Sequence, residues 1–191
     1  MLEKVAWVAE QGKRYDLLCF GGDLVNAPGV SLRVVNAAVS LLKEAGLNLA
    51  LVFGQHDLVG PSPASILHSA ASVAYWALPG HPGTEPEART DMVGLKLRLI
   101  SHHPAIEEWT TAGQYRDIVD VAVVHTLVGY SLPLETVKLG AAVVLTGDYH
   151  QGYEPQRGET PSSSTPVPCV ASPKMTMIGR PGWRAFSTTR S

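Results

Sequence analysis

The chain has 191 residues, 45% of them hydrophobic and 17% charged, which is enough apolar material for one sizeable core and rules out a disordered composition. A formal net charge of −2 and a pI near 6.4 give no basic footprint for binding nucleic acid. Two cysteines, Cys19 and Cys169, argue against a disulfide framework and for a reducing cytoplasm; no run reaches the ~20 apolar residues of a membrane span, and the N-terminus lacks the layout of a signal peptide.

Residues 2–11 place Leu2, Val5 and Val8 at helical spacing, with Gly12 as the stop. Residues 16–20 form a short apolar run before Gly21-Gly22, the pattern of a buried strand. Ser31 is a cap for a helix over 32–45, whose apolar face is Val35, Ala38, Val39, Leu42 and Ala45. A second buried strand is predicted over 47–53 and a helix over 62–73, the latter opened by Ser62-Pro63. Residues 92–100 alternate Leu95, Leu97 and Leu99 with Lys96 and Arg98, which predicts a half-exposed strand. Two more buried strands are expected over 119–124 and 141–145. The Pro/Gly-rich segment 79–91 and the Pro/Ser/Thr-rich segment 154–168 are read as loops. Strands separated by helices imply α/β layers in a single domain over 1–191.

Polar clusters follow four of these strands: Gly21-Gly22-Asp23 with Asn26, Gly54-Gln55-His56-Asp57, His125, and Gly147-Asp148-Tyr149-His150. Parallel strands bring such ends to one edge of a sheet, where sites are built. Alone, each cluster has an ordinary reading: a turn, a polar loop, or, for His125, a core histidine satisfied by backbone. Together they supply carboxylate, carboxamide and imidazole without thiolate, a mixture suited to Mn, Fe, Zn or Ni. Phosphoester cleavage needs an activated water, a neutralised phosphate and a protonated leaving oxygen, and two metals about 3.5–4 Å apart serve the first two needs. Asp23 is placed to bridge both ions, and a histidine beside the metals can serve the leaving group. His102-His103 after residue 100 is a weaker candidate, read as a solvated pair rather than a substrate wall, and Cys19 is read as an inert core residue.

The order of FGGDLVN (20–26), FGQHDL (53–58), VVHTLVG (123–129) and LTGDYHQGYE (145–154) resembles the second to fifth motifs of the calcineurin-like metallophosphoesterases. It is most similar to their nuclease branch, that of the D subunit of the bacterial SbcCD DNA-repair exonuclease and its phage relatives. Residues 169–186 loosely resemble the closing strand pair of such domains. The resemblance implies a layered sheet sandwich flanked by helices and two divalent ions, manganese favoured and Fe, Zn or Ni as alternatives. It implies that Asp23 bridges the ions, Gln55, His125 and Asp148 ligate, His150 holds the first ion, His56 assists departure, and Asn26 stands at a substrate position. Asp57 orients His56 in our own physical reading.

The chain departs from the family pattern in several places. Gln55 stands for asparagine, Asp148 for histidine and Asn26 for a histidine. The first motif, Asp-x-His on a strand ahead of the first helix, is absent. The expectation is therefore that Met1 is internal to a longer reading frame or that the chain is a fragment. A sheet missing its first strand would then carry an open edge and an exposed apolar face.

The function expected is a metal-dependent phosphoesterase acting on phosphodiesters, with DNA exonuclease as the subclass and a coiled-coil ATPase as partner by analogy. The alternatives are a general phosphatase or small-molecule phosphodiesterase, and a catalytically defective metal-binding module.

Overall fold

The computed structural model describes residues 2–24, 30–58, 76–77, 87–115, 117–126, 138–148, 153–157, 169–172, 175–178 and 186–187. Two helices come early. Helix α1, Leu2–Gly12, buries Val5, Val8 and Ala9. Helix α2, Leu32–Glu44, starts where the Ser31 side chain accepts from the Arg33 amide and buries Val35, Ala38, Val39 and Leu42. A shorter helix, α3, Ile106–Ala112, is an addition that the sequence pattern does not signal. It has two glutamates in its first turn and ends on Gly113 in the left-handed region.

Among the described residues eleven strands form two sheets. The first sheet contains β1 (Leu17–Phe20), β2 (Leu49–Leu51), β3 (Trp76–Ala77), β10 (Met175–Ile178) and β11 (Phe186–Ser187), in the order β11-β10-β1-β2-β3. Strands β1, β2 and β3 are parallel, and β10 is antiparallel to β1. The second sheet has the order β4-β5-β6-β7-β9-β8, comprising β4 (Glu87–Met92), β5 (Leu95–Ile100), β6 (Val119–His125), β7 (Ala141–Gly147), β8 (Tyr153–Arg157) and β9 (Cys169–Ser172). Its four inner strands are parallel, with β4 and β8 antiparallel at the edges.

The sheets stack face to face. Leu17, Cys19, Ala50 and Val52 of the first meet Leu95, Leu97, Leu99, Val121, Val123 and Leu145 of the second. The outer face of the first sheet packs on α1 and α2 through Leu18, Leu49 and Leu51. The outer face of the second, through Ile100, Ala122, Val124 and Val144, packs against Ile106 of α3, Tyr115 and Leu139. This α/β arrangement has four layers, two of sheet between two of helix. Among the described residues no helix is long and apolar enough to cross a membrane.

Several expectations are corrected. The open edge expected beside β1 is filled, because β10 pairs along its whole length, from Leu17 opposite Ile178 to Phe20 opposite Met175. Residues 92–100 are not one strand: Val93 and Gly94, both at positive φ, make the tight turn of the β4–β5 hairpin. Strand β4 therefore takes the end of the predicted 79–91 loop, and β8 takes the start of the predicted 154–168 loop. Arg98, read as solvent-facing, is fully buried. Its Nε donates to Glu87 at 3.1 Å, its Nη2 to the Asp117 carbonyl at 3.0 Å and its Nη1 to the Leu139 carbonyl, with the Tyr115 ring 5.3 Å away. The layer formed by α3, Tyr115 and Leu139 covers what alternation alone would leave in water. The helix expected over 62–73 lies outside the described residues.

Candidate metal centre

Strands β1, β2, β5, β6 and β7 all deliver their C-terminal ends to the same rim. Beyond β1, Gly22 at φ 95 and Asp23 at φ 53 turn the chain sharply. Beyond β2, Gly54 leads into a single 3₁₀ turn over Gln55–Leu58. Gly54 cannot carry a side chain, because a Cβ there would fall onto the Asp23 carboxylate. Asp57 Oδ2 accepts from the Gly54 amide at 3.0 Å and so braces this turn. Beyond β7, Asp148 sits at φ 95, a costly conformation for a residue with a side chain.

His125, at the end of β6, is the hub. Its Nδ1 lies 2.6 Å from the Gly21 carbonyl and its Nε2 2.7 Å from Gln55 Oε1. Nε2 is also 3.6 Å from Asp23 Oδ2 and 3.8 Å from Asp148 Oδ1. One ligand atom from each of Asp23, His125 and Asp148 lies within 4.8 Å of the others. Gln55 Nε2 donates to Asp148 Oδ1 at 3.1 Å. The Asp23 carboxylate accepts from the His56 amide at Oδ1, 3.1 Å away, whereas Oδ2 is buried with no hydrogen-bond partner among the described residues.

A neutral imidazole has one N–H and one lone pair. Gly21 O and Gln55 Oε1 are both acceptors, so either tautomer of neutral His125 sets a lone pair against an acceptor. Turning the Gln55 amide over does not help, because its oxygen would then face the Asp148 carboxylate. Among the described residues the cluster is short of one donor, and a metal cation at its centre would offset this. With Nδ1–H held by a backbone carbonyl, Nε2 is oriented inward, as in metal-binding histidines whose second nitrogen is anchored by the protein. Two carboxylates gathered at one imidazole nitrogen, Asp23 buried and Asp148 partly exposed, repel one another unless a cation lies between them. One imidazole nitrogen and three oxygens form a donor set that suits manganese and other intermediate-to-hard divalent ions.

No family model matches the sequence, and no curated protein matches it. Among solved structures the chain is similar to a hypothetical protein from Thermus thermophilus, with a TM-score of 0.55 and 17% identity over 98% of this chain and 84% of that one. At that identity the likeness concerns the fold alone, and it agrees with a mixed α/β architecture.

The structure brings together Asp23, Gln55, His125 and Asp148. His56, a partly buried residue of the same rim, contributes its amide to Asp23. Asp57 Oδ2 accepts from the Gly54 amide, which braces the turn. Asn26 and His150 lie outside the described residues. Cys19 is buried and free, and burial pushes its thiol up to about 12.

Two features are not drawn from the sequence. The Gly21 carbonyl orients His125, and no side-chain pattern signals a backbone acceptor. The His102-His103 pair, read as solvated, divides between two roles. His103 stacks on Trp109 at 4.2 Å and its Nδ1 accepts from the Ala105 amide. His102 instead sets its ring edge-on to His125, 6.1 Å between centroids, and its amide donates to the Phe53 carbonyl at 2.7 Å. Burial holds the His102 imidazole below the usual histidine range; His125 pushes the same way, while Asp148 and Asp23 oppose it. The available signal was its place directly after a parallel strand, shared with the other clusters.

Proposed function

We propose that this chain is a metal-dependent phosphoesterase of the calcineurin-like type, acting on phosphodiesters. The observation that carries the reading is the cluster of acceptors around His125 Nε2, with Asp23 Oδ2 buried and unpartnered beside it among the described residues. Asp23, Gln55, His125 and Asp148 would hold a divalent cation, manganese being favoured. When bound, the ion supplies a Lewis acid for a phosphoryl oxygen and lowers the pKa of a water.

The protein's own groups fix the geometry. The Gly21 carbonyl keeps Nε2 aimed inward, and the His56 amide fixes Asp23. The His56 imidazole, outside the cluster, is the group assigned to the leaving oxygen. The stacked sheets, with the cluster at their common rim, support a layered metallophosphoesterase architecture. A second ion would draw on Asp23 and on His150, which lies outside the described residues. The nuclease subclass, an ATPase partner and a cytoplasmic setting belong to the same reading, supported by motif order and by the paucity of cysteines.

One observation favours a second reading, a metal-holding module without turnover. Gln55 already spans from His125 to Asp148, using both ends of its amide. The test is manganese-dependent hydrolysis of bis(p-nitrophenyl) phosphate and of linear duplex DNA, beside His125→Ala and Asp23→Asn. Turnover of both substrates that each variant abolishes supports the nuclease reading. Turnover of the small ester alone rejects that subclass. Tight metal binding without turnover selects the module, and equal turnover by wild type and His125→Ala overturns the site.

A further inference from the structure

We infer that His102 is a substrate-contacting residue of this centre, placed to donate a hydrogen bond to a phosphoryl oxygen; this rests on the phosphoesterase reading above. His102 follows β5 at the same rim as the cluster. Its ring lies edge-on to His125 at 6.1 Å, and it is outside the group whose ligand atoms lie within 4.8 Å of one another. It is therefore a neighbour of His125 that is not itself one of the clustered ligands, at the rim that a ligand held by the cation would share.

Its backbone is fixed independently of its ring. The His102 amide donates to the Phe53 carbonyl at 2.7 Å, and Ser101 Oγ accepts from the Phe53 amide at 3.0 Å. These two bonds tie the end of β5 to the residue just before Gly54-Gln55-His56. The imidazole itself, partly buried, makes no hydrogen bond to the protein among the described residues. A partly buried imidazole on a tied backbone, edge-on to His125 and without a hydrogen bond among the described residues, suits an anion attracted there by the cation. A purely packing role needs no nitrogen, and neighbouring His103 shows the contrast, with its ring on Trp109 and its Nδ1 already bonded.

Calorimetry on the full chain tests this in two separate titrations. The first measures manganese affinity, and the second measures inorganic phosphate affinity at saturating manganese. Wild type is compared with His102→Leu, which keeps bulk without a donor, and His102→Gln, which restores one. Thermal melting of each variant checks folding. The expected result is about a 10-fold loss of phosphate affinity in His102→Leu, with partial recovery in His102→Gln and unchanged manganese affinity. Equal phosphate affinity in all three proteins overturns the inference while leaving the metal centre intact. An equal weakening of manganese binding overturns it in favour of simple support for His125. Absence of manganese binding to wild type removes the phosphoesterase reading, and this inference with it.

Discussion

His125 Nδ1 and the Gly21 carbonyl meet at 2.6 Å across 104 residues of sequence, joining the end of one sheet to the end of the other. That contact decides what the rest of the imidazole can do. It consumes the N–H of one tautomer and leaves Nε2 facing Gln55, Asp23 and Asp148. The stacked sheets thus create an acceptor-rich cluster that no single strand contains.

Asp23 should separate function from stability. In Asp23→Asn the side-chain oxygen still accepts from the His56 amide, and a neutral donor replaces the buried unpartnered oxygen. The variant should melt at or above the wild-type temperature without metal, and lose the manganese-dependent rise that wild type shows. For wild type that rise corresponds to about 2.7 kcal/mol at a metal concentration 100 times the dissociation constant. Asp23→Ala loses the amide's partner and keeps a side chain at φ 53, so it should cost about 1–3 kcal/mol in a urea titration. An Asp23→Asn protein that melts lower and still responds to manganese would argue against the cluster.

Gly54→Ala is a steric probe of the same carboxylate. The added methyl would collide with Asp23 and with the backbone beneath it. The expected cost is about 1–3 kcal/mol, with metal affinity falling further than in an Ala substitution at exposed Lys96. Thermal melts with and without manganese would show this as a lowered baseline and a smaller metal-induced shift.

Arg98 is a structural counter-example, buried and charged but remote in role. Arg98→Ala leaves the Leu139 and Asp117 carbonyls without a donor and opens space beside Tyr115. A loss of about 3 kcal/mol in chemical denaturation is expected, with manganese affinity of the folded protein unchanged. A variant that stays stable but loses metal would instead place Arg98 in the site's support.

Cys19 gives a pH dependence with a definite sign. Burial raises its thiol from 9.0 to about 12. The unfolded chain therefore releases this proton at lower pH than the native one, so stability is intact below pH 9 and falls as pH rises toward 12. Tyr115, raised from 10.0 to about 12 chiefly by burial, adds to the same decline. Urea midpoints measured from pH 8 to 11 should fall more steeply in wild type than in Cys19→Ala. The native thiol should also resist a disulfide reagent at pH 8 until the protein unfolds.

The strand ends were readable because apolar runs stop at glycine and a polar group follows, at Phe20-Gly21, Phe53-Gly54 and Leu145-Thr146-Gly147. Helices α1 and α2 were readable from their 3.6-residue periodicity. What escaped was set by tertiary contacts. The β4–β5 turn uses Val93, a β-branched residue, at φ 50, which local preference argues against. Arg98 follows an alternating pattern that predicts exposure, and only the covering layer of α3, Tyr115 and Leu139 reverses it. In the site, residue types pointed to Asp23, Gln55, His125 and Asp148. The Gly21 carbonyl and the approach of His102 depend on how the sheets stack, which side-chain identity does not encode.

The most direct measurement is anomalous X-ray scattering from crystals soaked in manganese. A peak is expected at bonding distance from His125 Nε2, Asp23 Oδ2 and Asp148 Oδ1, with Gln55 Oε1 turned toward it. Crystals that hold no manganese at this position, or hold it only at surface carboxylates elsewhere, would rule out the metal centre.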